Sequence, residues 1–283
     1  MPNTPDRPDL PDRDAVDRII RDVAAAEILP RFRNLRDHQI REKNPGDLVT
    51  DADEAAERAL EAALTALLPG SAVIGEEMAE KRSHLLAVIG EDRPVWVLDP
   101  VDGTHNFAHG EGRFAVIVTL VRARRTLAGW IHAPLTGVTS WAAVGQGSWH
   151  LPADGPAEPV RLGPAPPIAG MTGSLGRKLR ERLRRDGAVV PEHLLRYRCT
   201  GQEYMDLAAG AIHFAQYTGL KPWDHAAGVL IHAEAGGYGA LTGDGTGPGI
   251  PYHPDTEINR GTLLMAPDPA TWAELRDLIR SVM

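Results

Sequence analysis

The sequence predicts a mixed fold, an α+β half built on an antiparallel sheet followed by an α/β half. Three observations predict it. Two stretches of helical hydrophobic spacing open the chain, four apolar runs joined by short turns follow between residues 114 and 151, and beyond residue 167 helical and extended patterns alternate.

Residues 1–13 are polar and Pro-rich, unlike a signal peptide, and read as a disordered or loosely attached tail. From about Asp14, Val16, Ile19, Ile20, Val23, Ala24 and Ile28 recur at helical spacing until Pro30 kinks or ends the regular part. Asn44-Pro45-Gly46 signals a turn, and residues 47–50 are short and extended. A second helix starts near Thr50 or Asp51, either of which has an acidic residue three places on, as a capping box wants. Leu60, Leu64, Leu67 and Leu68 stripe that helix, and Pro69-Gly70 stops it. Residues 71–75 read as a strand ending at Glu76-Glu77, and residues 95–98 as a buried strand ending at Asp99.

The runs 114–121, 127–132, 138–144 and 148–151 form an antiparallel meander packed on the two N-terminal helices. The stretch 152–167, rich in Pro, Gly and Ala, marks a boundary between a domain of residues 14–160 and one of residues 161–283. In the second, strands near Met171, at 238–241 and at 263–266 alternate with helices at 177–185, 204–213 and 222–235. Asp268-Pro269 opens a last helix with Trp272, Leu275, Leu278, Ile279 and Val282 inward.

Composition excludes several function classes. The net charge of −8, without a basic block, argues against a nucleic-acid partner. No apolar run approaches the roughly 18 residues of a membrane span. A single cysteine rules out an internal disulfide framework and fits a reducing, cytoplasmic compartment. Cys199 itself reads as a small buried hydrophobe rather than a nucleophile. An acidic chain that handled phosphate would repel it, and would need bound cations to invert the local sign.

The stretch WVLDPVDGTHNFAHG, residues 96–110, supplies the means. Asp99 and Asp102 flank a Pro turn at the end of a buried strand, giving hard oxygen ligands on a stiff backbone, which suits Mg²⁺ or Mn²⁺. Gly103 and Thr104 follow, with backbone N–H groups and a hydroxyl that can face a phosphate. Taken alone the string could be an acidic turn, and Asp53 or Asp224 alone could be a helix cap. Glu76, Asp99, Asp102, Asp53 and Asp224 together need another account, because clustered carboxylates repel unless a cation holds them.

Four segments resemble the inositol monophosphatase family, of the superfamily that includes fructose-1,6-bisphosphatase. They are DLVTDAD at 47–53, IGEE at 74–77, WVLDPVDGTHNF at 96–107 and KPWDHAAGVLIHAEAGG at 221–237, and their order matches too. The resemblance runs from about Asp14 to the last helix. It implies a layered αβαβα sandwich of the sugar-phosphatase type, and a Mg²⁺-dependent phosphatase, with Mn²⁺ as a possible substitute, acting on a small soluble phosphate ester. Inositol monophosphate is the default; histidinol phosphate, a sugar bisphosphate or a 3′-phosphonucleotide are the alternatives. A catalytically silent relative would be expected to have lost Glu76, Asp53, Thr104 or Asp224, and all four are present.

Position by position, the resemblance implies three cation sites: Glu76, Asp99, the Val101 carbonyl and Thr104 around the first, Asp99, Asp102 and Asp224 around the second, and Glu76 at a weaker third. Asp53, Thr104 and Glu76 become the catalytic set, Asp53 and Thr104 orienting and deprotonating the attacking water. Asp102, Gly103, Thr104, Tyr217 and Asp224 become the substrate contacts. The relatives also imply a homodimer. Inositol-specific members carry an acidic residue seven places before the helix-start Asp, where this chain has Tyr217. A tyrosine wall there would make the enzyme tolerant of several esters. Lys43 reads as a solvated loop lysine, with a phosphate or third-site role as the alternative. His105, His109, His225 and His232 are read as non-ligands, His225 at most supporting Asp224. Residues 243–247 are read as a hairpin turn rather than a phosphate loop, and the arginines of 177–185 as a solvated face.

Overall fold

The computed structural model describes residues 10–44, 47–185, 191–243, 247, 249–255, 257–258 and 261–282. Helix α1 (Arg13–Val23) starts after Asp12, whose carboxylate accepts the Ala15 N–H at 2.7 Å, and runs on through a π turn, Ala24–Ile28. Strands β1 (Ile40–Asn44) and β2 (Asp47–Thr50) pair as an antiparallel hairpin, of which the sequence marked only the second arm. Helix α2 (Asp51–Leu67) opens with the expected capping box, Thr50 at the cap and Asp53 three residues on.

Next come β3 (Ala72–Gly75), α3 (Glu76–Lys81), β4 (Val95–Asp102) and α4 (Thr104–Ala108). The meander follows as β5 (Ala115–Arg122), β6 (Arg125–Ala133), β7 (Val138–Ala143), β8 (Ser148–Leu151) and β9 (Glu158–Val160). These strands form one seven-stranded sheet in chain order from β3 to β9, with β3 and β4 parallel and every later pair antiparallel.

The remaining elements are β10 (Thr172–Ser174), α5 (Arg177–Arg185), β11 (His193–Leu195), α6 (Thr200–Ala209), β12 (Phe214–Tyr217), α7 (Pro222–Glu234), β13 (Tyr238–Leu241), β14 (Leu263–Ala266) and α8 (Pro269–Ser281). Their strands make a second sheet in the order β11-β10-β12-β14-β13. The expected helix at 204–213 is shifted. It starts at Thr200, and Gly210, in the left-handed conformation at φ 74°, ends it before β12.

Three cores stack these elements into five layers, αβαβα, as expected. Val16, Ile20, Leu60 and Leu64 of α1 and α2 pack on Trp96, Leu98, Val116, Val118 and Trp130. The opposite face of that sheet, through Ala115, Ile117 and Ile131, meets Tyr204, Leu207, Ala227 and Ile231 of α6 and α7, which rest in turn on Ala215, Leu263 and Met265 of the second sheet. Phe214, Leu264 and Ala266 on that sheet's outer face are covered by Leu183, Trp272 and Leu275 of α5 and α8. Burial on both faces explains why β5 reads as an unbroken apolar run rather than an alternation. Close packing of α6 on α7 depends on Gly228, where a Cβ would fall 2.1 Å from the Tyr204 ring. Among the described residues no helix is long and apolar enough to cross a membrane.

Candidate active site

Strands β3 and β4 lie side by side and parallel, and both end at one cleft of about 180 Å³. On an unbroken strand, residues three apart face opposite sides. Here the register slips between Asp99, opposite Ile117, and Asp102, opposite Ala115, so three steps along β4 span two along β5. This bulge around Pro100 brings both carboxylates to the cleft. Gly103 then adopts φ 87°, and a Cβ there would approach the Arg113 carbonyl to 2.9 Å. The turn delivers Thr104 as the first residue of α4.

From the other elements, α3 contributes Glu76, its first residue, and the first turn of α7 contributes Asp224. The Thr104 hydroxyl stands 3.1 Å from Asp53 Oδ1 and 3.0 Å from the Val101 carbonyl, so its one proton serves either acceptor. Asp53 Oδ2 in turn accepts from the Thr50 amide at 2.9 Å and the Thr50 hydroxyl at 2.5 Å. One turn further along α2, Glu57 accepts from the amides of Glu77 at 2.9 Å and Met78 at 3.2 Å. One face of α2 therefore locates both the Asp53–Thr104 pair and the start of α3. Gly75 leaves room for this, since a Cβ there would fall 2.1 Å from Glu57 Oε2.

The electrostatics of the cluster are dominated by burial. Asp53 is pushed up to about 6 by burial, against the pull of the Thr50 hydrogen bonds. Asp99 is raised by burial and then by the charges of Glu76, Asp102 and Asp224. Asp224 is raised to about 7 by burial and by Asp102, while Lys221 and a hydrogen bond with Asp99 oppose the rise. Asp102 is also raised by burial, although Cys199 Sγ at 3.0 Å and the amides of Thr200 at 3.1 Å and Gly201 at 2.6 Å favour its charged form. Glu76 is raised by burial and held down by Lys43 at 3.1 Å.

Among the described residues, no three acidic, His or Cys groups already close into a coordination shell. Lys43 and Lys221 draw on Glu76, and the start of α6 draws on Asp102. The donor chemistry nonetheless fits a hard divalent cation, because buried Glu76, Asp99 and Asp102 and half-buried Asp224 line one cleft.

The description of the inositol monophosphatase family matches residues 12–271. The chain belongs to the inositol monophosphatase family. It is 36% identical over 217 residues to an inositol-1-monophosphatase of Mesorhizobium japonicum, covering 73% of this chain and 77% of that one. A histidinol-phosphatase of Streptomyces coelicolor is 28% identical over 265 residues, 90% of this chain and 95% of that one. The solved structure of a Thermotoga maritima IMPase shares the fold at a TM-score of 0.75 and 21% identity, covering 95% of this chain and 96% of that one. As a member of the family the chain is a phosphatase, a hydrolase of phosphoric monoesters.

In this inositol monophosphatase family member, Glu76, Asp99, Val101, Asp102, Gly103, Thr104 and Asp224 all line the cleft, and Asp53 reaches it through Thr104. Leu48, His105, Arg198 and Lys221 also line it and escaped the sequence reading. Lys221 was within reach, since it stands in the KPWD segment. Arg198 carries no sequence signal, being brought in by the turn before α6.

Two expectations need correction. Lys43 is no solvated loop lysine. Its ammonium lies 3.1 Å from Glu76, 3.0 Å from Glu77 and 2.6 Å from Glu80, with 13% of the side chain exposed. Burial opposes its charge, but those carboxylates hold its proton well above the usual lysine range.

Tyr217 does not line the cleft. The alternation of β12 turns it into the inter-sheet core, 8% exposed, stacked on Tyr204 at 5.2 Å and tilted on His225 at 4.9 Å. Burial and the neighbouring Glu203 carboxylate push its hydroxyl well above the usual range. Tyr217→Glu is therefore expected to unsettle the fold rather than retune specificity, because it would bury a carboxylate beside Glu203. A Tm lower by about 5 °C or more, on the order of 2 kcal/mol, is the expected result of thermal denaturation. An unchanged Tm would return Tyr217 to an accessible wall.

The smaller readings fall out as follows. Cys199 is buried, its thiol pushed up by burial and by Asp102, which leaves it a hydrogen-bond donor and no nucleophile. His225 is held by the Tyr204 hydroxyl at 3.0 Å and pushed down to about 3 by burial. His232 is likewise buried and pushed down to about 4. In α5 Leu183 is buried and Arg177, Arg184 and Arg185 are exposed, whereas Arg180 is half-buried and donates to the Leu194 carbonyl at 3.4 Å. Within the supposed hairpin turn, residues 244–246 lie outside the described residues.

Proposed function

We propose that the chain is a Mg²⁺-dependent phosphomonoesterase of small soluble phosphate esters, inositol monophosphate being the first to test. One observation carries this reading: buried Asp53 holds the hydroxyl of Thr104, which lines the same cleft as Glu76, Asp99, Asp102 and Asp224. Glu76, Asp99, the Val101 carbonyl and Thr104 would hold one cation, and Asp99, Asp102 and Asp224 a second. Bound there, Mg²⁺ supplies Lewis acidity towards the phosphoryl oxygens and lowers the pKa of water. The chain's own residues do the rest. Thr104 orients the attacking water, and Asp53, ionised above about pH 6, takes its proton through the Thr104 hydroxyl. The amides of Gly103 and Thr104 face the phosphate as neutral donors. Lys43 and Lys221 keep the ionised form of Glu76 favourable between turnovers.

A second reading, histidinol phosphate as substrate, is supported by the near full-length similarity to the Streptomyces coelicolor histidinol-phosphatase.

The test is phosphate release from inositol monophosphate, histidinol phosphate, fructose 1,6-bisphosphate, a 3′-phosphoadenosine nucleotide and glycerol phosphate with Mg²⁺ present. The expected result is hydrolysis of several, with kcat/KM highest for inositol monophosphate. A tenfold or greater preference for histidinol phosphate establishes the second reading. Hydrolysis of none refutes both and leaves a silent binding scaffold.

A further inference from the structure

Two lysines stand beside Glu76, and both are shared with a second carboxylate of α3. Lys43 Nζ, from β1, lies 3.1 Å from Glu76, 3.0 Å from Glu77 and 2.6 Å from Glu80. Lys221 Nζ, from the residue that caps α7, lies 3.8 Å from Glu76 and 2.6 Å from Glu80. The shortest contact of each ammonium is therefore with Glu80. Glu76 and Lys221 line the cleft, whereas Glu80, one helical turn along α3, stands outside that lining with 19% of its side chain exposed.

The two carboxylates also differ in how far the lysines charge them. Burial raises Glu80, but the hydrogen bonds of Lys221 and Lys43 outweigh it and hold that carboxyl below its usual range. Glu76 stays well above its own, because burial, with the charge of Asp224 adding to it, outweighs both lysines. An ammonium on Glu76 competes with any metal cation for the same oxygens, and like charges that close repel. A carboxylate that takes up the ammoniums from outside the cleft relieves that competition.

We infer that Glu80 is a positioning residue for cation binding: it draws Lys43 and Lys221 off Glu76 and leaves that carboxylate available to a divalent cation. This rests on the Mg²⁺-dependent reading above. One side chain thus ties three segments together, β1, α3 and the start of α7. Without it, Lys43 keeps Glu76 and Glu77 as partners, and Lys221 keeps Glu76.

Calorimetric titration of Mg²⁺ into the substrate-free chain tests this. Glu80→Gln, close in shape to the parent, is expected to weaken Mg²⁺ binding fivefold or more. The Mg²⁺ concentration for half-maximal phosphate release should rise in step, with kcat at saturating Mg²⁺ within threefold of the parent. Glu80→Asp keeps the charge and should lose less. Losing a nearby negative charge weakens cation binding by itself, so a double variant decides. Lys221→Gln should strengthen Mg²⁺ binding at least threefold more in the Glu80→Gln background than in the wild type, because only there has the lysine fallen back on Glu76. Unchanged affinity in Glu80→Gln overturns the inference. So does a Lys221→Gln effect of equal size in both backgrounds, which would leave Glu80 a distant charge and nothing more. Failure of Glu80→Gln to fold, read by circular dichroism, would make Glu80 a structural tie and overturns it as well. A wild type that binds no Mg²⁺ refutes the cation-dependent reading and the inference together, whereas Mg²⁺ binding indifferent to Glu80 refutes the inference alone.

Discussion

Asp99→Asn and Asp224→Asn are each expected to lower turnover of any ester the enzyme hydrolyses by a hundredfold or more, with the fold intact. Both residues line the cleft, and both are nearly isosteric with their replacements, so packing is left alone. What changes is charge. An amide binds a divalent cation far more weakly than a carboxylate, and removing a shared ligand disturbs both cation positions at once. Each variant should at the same time be no less stable than the parent in cation-free buffer. The sign follows from the titration. Burial and Asp102 raise Asp224 in the folded chain to about 7, from an ordinary value of 3.8. A carboxyl raised by folding binds its proton more tightly in the folded state, so its contribution falls as pH climbs from about 4 to about 7. Above that window the ionised group costs stability, and the asparagine variant is spared the cost. Measured kcat at saturating Mg²⁺ and Tm in chelator at pH 7.5 check the two halves. A loss of activity under threefold would remove these residues from the catalytic machinery. A large fall in Tm would show that the carboxylates hold the fold together rather than strain it.

Withdrawing divalent cations should abolish phosphate release, and adding Mg²⁺ or Mn²⁺ back should restore it. Glu76, Asp99, Asp102 and Asp224 face the cleft with their carboxyls all raised, chiefly by burial, and the ion pairs of Lys43 and Lys221 reach only Glu76 among them. Asp99 and Asp102 are left without a cationic side chain against them in the ion pairs of the described residues. A ligand that binds only the folded state stabilises it by mass action, by about 2.7 kcal/mol at a hundredfold excess over Kd. Calorimetry should therefore show Tm rising with Mg²⁺ concentration in the wild type, and rising less in Asp224→Asn. Full activity in excess chelator would contradict the mechanism whatever the substrate.

How much of this was legible beforehand depended on whether the signal was local. Thr50 and Asp53 announced α2 because a capping box is satisfied within four residues. The acidic positions were legible for the same reason: a carboxylate at a strand end or helix start is conspicuous in its own segment. The start of α6 was not. Thr200 and Gly201 have no apolar spacing, and the turn is anchored by Asp102, a residue about a hundred positions away. Lys43 looked solvated because its acidic partners lie on α3, more than thirty residues on.

By itself the sequence determined the two halves of the fold, through hydrophobic period and turn chemistry, and the family, through short motifs; the layer order and the roles of the carboxylates came only as what that resemblance implies. The tertiary structure alone decided which residues share the cleft. A bulge rather than an alternating strand turns Asp99 and Asp102 the same way. A seven-residue count placed Tyr217 at a pocket wall, whereas the pleat of β12 buries it against Tyr204. Arg198 reaches the cleft because Asn106 holds a backbone conformation that no propensity predicts. Side-chain direction and long-range hydrogen bonding are settled when layers pack, since only then does each polar group meet the partner that burial obliges it to find.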